Sequence, residues 1–171
     1  MKRFVSVVLI VFMALSFSAC DLLNYQQNDL AEAERLEAER LENAQKYYDN
    51  VIKSKALLDV VAADICAMWK DAKYDVTTKE LNKSIAKIQE THQEKIDEIA
   101  RLDAEIEELF TSAKLSQKAG TYVAIVMLEY FEYRDSVIKV DASHTTYGHI
   151  EISSNKETLE SYLNQLYVII K

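Results

Sequence analysis

From Tyr47 onward the apolar positions of this chain fall at helical spacing. Val51, Leu58 and Ile65 recur every seven residues, with Tyr47, Ser54, Val61 and Met68 at the alternate heptad position. Leu57, Ala62 and Trp69 widen the stripe beyond a two-stranded seam, to the width a helix needs in a bundle of three or four. The pattern predicts a helix to about Lys73 and a tight break at Tyr74-Asp75-Val76. Thr77 followed by Glu80 has the spacing of a capping box and opens a second helix. Its two rows are Ile85, His92, Ile99, Ile106 and Ala113, and Leu81, Ile88, Lys95, Leu102 and Leu109. The short connection makes the two helices antiparallel neighbours. Pairing about Asp75 makes facing residue numbers sum to about 150, which sets Ser54 beside Lys95 and Asp59 beside His92.

Gly120 reads as the residue that stops this second helix. Thr121 to Val140 is the most apolar stretch after the N-terminus, and Tyr122 to Leu128 is apolar nearly all round, as for a central helix. Its β-branched residues would also suit a buried strand, but Glu129, Glu132 and Arg134 break strand alternation, so helix is expected. Asp141 to Ser153 has no helical periodicity and reads as a long loop with a turn at Tyr147-Gly148. Ser154 and Glu157 have a second capping-box spacing, which predicts a last helix over Asn155 to Ile170.

The N-terminal side of the first helix is different. Asp29 to Gln45 is rich in Ala, Glu, Leu and Arg, with only Leu30, Leu36 and Leu41 as a thin apolar stripe. A helix so polar is solvent-facing, and this one reads as a stalk, or as a frayed helix end.

Composition supports the helical reading. Proline is absent and glycine occurs only twice in 171 residues, so a sheet-and-turn architecture lacks its usual turn residues. The fold class expected is all-α: an antiparallel helical bundle with a coiled-coil-like hairpin and an N-terminal helical stalk. The formal charge of −8 argues against nucleic acid as a partner. Two cysteines, Cys20 and Cys66, do not make a disulfide framework. Cys66 reads as a buried small hydrophobe.

No phosphate loop, nucleophile elbow, paired CxxC or HExxH occurs, and no enzyme activity or cofactor is expected. His144 and His149 share the Asp141–Ser153 segment with Asp141 and Glu151, and these four are the candidate metal ligands. Their spacing matches no metal signature. His144, Tyr147 and His149 are the candidate partner-binding residues, because loops on rigid scaffolds carry function more often than the scaffold does. His92, in a heptad row, reads as a hydrogen-bonded seam residue. The ten tyrosines read as bundle lining with their hydroxyls at its edge.

The first twenty residues carry the strongest functional signal. Lys2 and Arg3 precede an apolar run from Phe4 to Phe17, then come Ser18, Ala19 and Cys20. This is the three-part layout of a secretory signal, too short to span a bilayer. Phe17-Ser18-Ala19-Cys20 resembles the lipobox of bacterial lipoproteins. The resemblance covers the N-terminal eighth of the chain, and Phe17 stands where Leu is commoner. It implies cleavage before Cys20, a lipid on the Cys20 sulfur, and a mature domain held on the extracytoplasmic side of the membrane. If the cell is enterobacterial, Asp21 resembles the signal that retains lipoproteins in the inner membrane.

Residues 1–19 are therefore expected to be a signal peptide, 20–28 a lipid-anchored tether, 29–45 a charged stalk and 46–171 the bundle. The function expected is a non-enzymatic binding, spacer or accessory role toward an envelope protein or the cell wall. The alternative is a small-ligand or metal-binding lipoprotein using the 141–153 loop.

Overall fold

Five helices and no strand make up the described part of the chain, which comprises residues 30–72, 76–111, 119–143 and 148–171 of a computed structural model. Helix accounts for 91% of these residues, and the fold is an all-α bundle. The helices are α1 (Leu30–Asp71), α2 (Thr78–Thr91), α3 (Gln93–Thr111), α4 (Gly120–Ile138) and α5 (Gly148–Ile170). Among the described residues no helix is long and apolar enough to cross a membrane.

The longest helix, α1, touches all four others, and side-chain pairs fix its registers. With α5 it is antiparallel: Tyr48 meets Tyr167, Lys55 meets Glu160, Asp59 meets Lys156 and Cys66 meets His149, each pair summing to 215. With α4 it runs parallel, through Tyr47 to Val123 and Ser54 to Tyr130, both 76 residues apart. With the α2–α3 arm it is antiparallel, through Asp64 to His92 and Asn50 to Glu105.

That last register differs from the expected one. Facing numbers sum to 155 and 156 rather than about 150, so Ser54 meets Tyr130 instead of Lys95, and Asp59 meets Tyr133 instead of His92. Helical side chains lean toward their own N-terminus. In an antiparallel pair each partner leans toward lower numbers, the first away from the connection and the second toward it, so tips that meet belong to residues with a larger sum. The sense of the offset follows from that tilt.

All three registers put the far ends of α3, α4 and α5 level with residues 44–45 of α1. Residues 30–43 of α1 extend past those ends, roughly 20 Å of helix at 1.5 Å per residue. Among the described side chains of α1, the first fully buried is Ala44, followed by Tyr47, Val51, Ser54 and Leu58. The heptad rows therefore lie in the core as their spacing implies.

The expected capping box at the start of α2 is present. Thr77 Oγ1 accepts from the Glu80 N–H at 3.3 Å, and Glu80 Oε2 accepts from the Thr77 N–H at 2.9 Å. The second predicted helix is, however, two. At His92 the backbone turns to φ −105°, ψ 19°, and the Lys95 and Ile96 N–H groups both donate to the His92 carbonyl, as at a fresh helix start. A heptad row continues across this joint, which is why periodicity alone does not reveal it.

Helix α4 is central, as its composition implies, and buries seven residues from Val123 to Val137. Two boundaries are corrected. Gly120 is the first residue of α4 rather than the stop of the preceding helix. The last helix begins at Gly148, so residues 148–153 are helix and not loop, and Ser154 and Glu157 lie inside it. Burial explains this: Ile152 is 2% exposed and joins Leu159, Leu163 and Leu166 on one face. Gly148 is required there by close approach, since a Cβ on it would lie 2.7 Å from the Trp69 ring.

Candidate functional site

Of the residues singled out by sequence, Cys20, His144 and Tyr147 lie outside the described residues. Asp141 ends the α4 side of the connection, where its carboxylate accepts from Asn82 Nδ2 at 2.7 Å and from the Ser143 N–H at 2.8 Å. His149 and Glu151 lie in the first turn of α5. The His149 carbonyl accepts from Ser153 Oγ at 2.7 Å, an ordinary contact between successive helical turns. Among the described residues no group of three or more His, Cys, Asp and Glu side chains is poised to hold a metal ion. The irregular segment expected over 141–153 is thus shortened, and its second half presents helix side chains.

His149 nevertheless has one unusual feature: its Nδ1 is buried and has no hydrogen-bond partner. Cys66 Sγ approaches the His149 carbonyl at 4.0 Å. The thiol is half-buried rather than fully buried, and burial pushes its pKa up, with Lys70 and Lys156 pulling the other way. The net rise leaves little thiolate at neutral pH, so Cys66 is a poor nucleophile.

The densest chemistry lies elsewhere, around two tyrosines of α4 one turn apart. Tyr130 is fully buried, and its hydroxyl donates to Asp103 of α3. Its oxygen also lies 2.6 Å from Ser54 Oγ of α1. The Tyr130 proton being committed to Asp103, Ser54 is the donor of that second bond. Arg134, one turn along α4, donates from Nη1 to the other oxygen of Asp103 at 2.9 Å and from Nη2 to Asp135 at 2.7 Å. Its guanidinium also sits over the Phe131 ring, 4.3 Å from the centroid.

Tyr133 makes the matching contact on the other side. Its hydroxyl donates to Asp59 Oδ1 of α1 at 2.7 Å. Lys55 bridges Asp59 and Glu160 of α5 at 2.8 and 2.7 Å, and Lys156 approaches Asp59 at 3.3 Å. Burial first, then the carboxylate each faces, drives both tyrosine pKa values far above the usual phenol range. They stay protonated and act as hydrogen-bond donors. The expectation of tyrosine hydroxyls at the edge of the bundle is thus wrong for Tyr130 and Tyr133, and for Tyr47, which donates to the Val123 carbonyl at 3.2 Å. Sequence periodicity marks these residues as inward-facing but does not identify the acidic partners.

This array ties α1, α3, α4 and α5 together by named polar bonds, and its members pair with one another. For Asp59, burial alone raises the carboxyl pKa; the bonds from Lys55 and Tyr133 and the charges of Lys55 and Lys156 outweigh it and leave the value lowered. A folded-state pKa below the unfolded one gives stability above about pH 4 that is lost as pH falls through the folded value. The Asp59→Asn protein is therefore expected to show a weaker decline of its urea midpoint between about pH 5 and pH 2 than the parent. An unchanged acid slope would show that Asp59 does not contribute to it.

Two surface features complete the inventory. An open groove of about 440 Å³ between α1 and α3 is lined by Lys46, Asn50, Lys53, Glu105 and Glu108 among others. Asn50 Nδ2 donates across it to Glu105 at 3.2 Å, and its charges are of both signs. At the α1–α5 seam Tyr48 and Tyr167 pair with ring centroids 5.6 Å apart, beside Val168, which is 76% exposed. Neither feature gathers a nucleophile, base and oxyanion donor in the manner of a hydrolytic centre.

The chain matches no protein-family model, no curated protein and no solved structure.

Proposed function

We propose that this protein is a membrane-anchored bacterial envelope lipoprotein whose helical bundle has a non-enzymatic binding, spacer or accessory role. The observation that carries the proposal is the segment Met1 to Cys20, with its basic start, apolar run and lipobox-like Phe17-Ser18-Ala19-Cys20. The reach of α1 past the ends of the other described helices supports a stalk, because it is the N-terminal end of the molecule that extends. A lipidated Cys20 would then hold the bundle off the membrane, on the extracytoplasmic side. Two or three acyl chains suffice for stable attachment where one does not. The partner in this reading is an envelope protein or the cell wall.

The test is to replace Cys20 with Ser and label growing cells with a radioactive fatty acid. Label is expected on the parent protein and absent from the variant, which shifts out of the membrane fraction. Equal labelling of both overturns the proposal.

A small-ligand or metal-binding role is the second reading, supported by the buried, unpartnered Nδ1 of His149. Zinc titration of the parent and of a His149→Ala variant, followed by calorimetry, distinguishes it. Identical heats from the two proteins exclude His149 as a ligand.

A further inference from the structure

Helix α2 is attached to the bundle differently from the other helices. It buries one residue, Ile85, where α3 buries three, α5 five and α4 seven. Much of its attachment is polar. Asn82 forms a two-way clasp with the segment that follows α4: its Nδ2 donates to Asp141 at 2.7 Å and its Oδ1 accepts from the Ala142 N–H at 2.8 Å. About two turns further along, Gln89 Nε2 donates to the Ile138 carbonyl at 2.9 Å.

The two ends of α2 are built for movement of a whole helix. Its N-terminus carries its own capping box, Thr77 with Glu80, so the N–H groups of those two residues are satisfied without the rest of the bundle. Its C-terminus is the joint at His92, where the helical ladder is interrupted and restarted. The His92 ring is anchored on the far side of that joint, with Nε2 2.8 Å from Asp64 of α1. The register set by that bond places Ile88 level with Met68 of α1 and Ile85 level with Asp71.

We propose that α2 is a detachable strap. It swings on the His92 joint, released when the Asn82 and Gln89 clasps open, and uncovers α1 around Met68 while α1, α3, α4 and α5 stay packed. Local opening of this kind is drawn from elements with few buried apolar contacts and polar attachments. The capping box lowers the cost of the open state, in which a detached helix of 14 residues is marginal and its amides exchange. The His92–Asp64 bond keeps the joint in place.

Hydrogen exchange on the full-length chain tests this. Amides of α2 are expected to exchange about a hundredfold faster than those of α3 and α4 in the parent protein. The double variant Asn82→Ala, Gln89→Ala is expected to raise α2 exchange about tenfold further, with α3, α4 and α5 unchanged. Protection of α2 equal to that of α3 in the parent protein overturns the proposal. So does a double variant that leaves α2 exchange unaltered, or one that loosens all five helices together.

Discussion

Replacing Asp103 with alanine is expected to lower the stability of the bundle by about 3 kcal/mol, a large share of what a domain of this size has. Asp103 is 15% exposed and receives the Tyr130 hydroxyl and Arg134 Nη1 on its two oxygens. Without it the Arg134 guanidinium, 19% exposed, keeps Asp135 but loses its inward partner. Tyr130 retains only Ser54 as a hydrogen-bond neighbour. Removing one member of a buried charged pair leaves the other desolvated and uncompensated, and that penalty exceeds the net worth of the pair. The coupling has its own signature. Tyr130→Phe is expected to cost about 1–2 kcal/mol in the parent protein and much less in the Asp103→Ala background, since the acceptor is then already gone. Urea unfolding of the four proteins measures both quantities. A loss below about 0.5 kcal/mol for Asp103→Ala, or strict additivity with Tyr130→Phe, would show that the array is incidental to stability.

The two glycines are expected to respond to alanine in opposite directions. A Cβ on Gly148 would meet three atoms of the Trp69 ring, the nearest at 2.7 Å, and the ring is 8% exposed with little room to retreat. Gly148→Ala is expected to cost about 2 kcal/mol through displacement of Trp69 or of the first turn of α5. A Cβ on Gly120 meets nothing within 4 Å, at the first residue of α4. Gly120→Ala is expected to be neutral or to stabilise by up to about 0.5–1 kcal/mol, through reduced freedom of the unfolded chain. Thermal unfolding of both variants checks the pair. Equal effects would remove the argument from close approach. A blue or red shift of Trp69 emission in Gly148→Ala alone would support it.

The contrast between these glycines shows what was legible in the chain. Apolar spacing identified α1 and α4 as helices and placed Val51, Ser54, Leu58 and Ile65 inward, because a helix facing a core must repeat its apolar residues at that period. The Thr77–Glu80 spacing marked a real helix start because that motif is satisfied locally. The Ser154–Glu157 spacing, equally good on paper, lies within α5. What decides between them is whether the preceding residues can be buried, and Gly148 can start α5 only because Trp69, far away in the chain, covers it. The polar array has the same character. Ser54 was visible as a hydroxyl in a heptad row, but Tyr130 lies 76 residues away and no spacing connects them. The candidate site residues split likewise: Asp141, His149 and Glu151 are placed, while no local sequence signal pointed to Asp103, Arg134 or Asp59.

The constant register between α1 and α5 bears on how the chain acquires its fold. Tyr48 finds Tyr167, and Lys55 finds Glu160, more than 100 residues later. Chains dominated by such distant pairings fold slowly compared with helical bundles built from local contacts, because loop closure precedes the reward. Of the five described helices, a chain delivered N-terminus first presents α1 before the four that pack on it, and α5 arrives after the others. Until then the apolar row of α1 stays open to any helix of complementary pattern, including the α1 of another nascent copy. The C-terminal helix therefore acts as a completion signal: loss of α5 would strand an early intermediate with its longest seam uncovered, a species prone to mispairing rather than a smaller native protein.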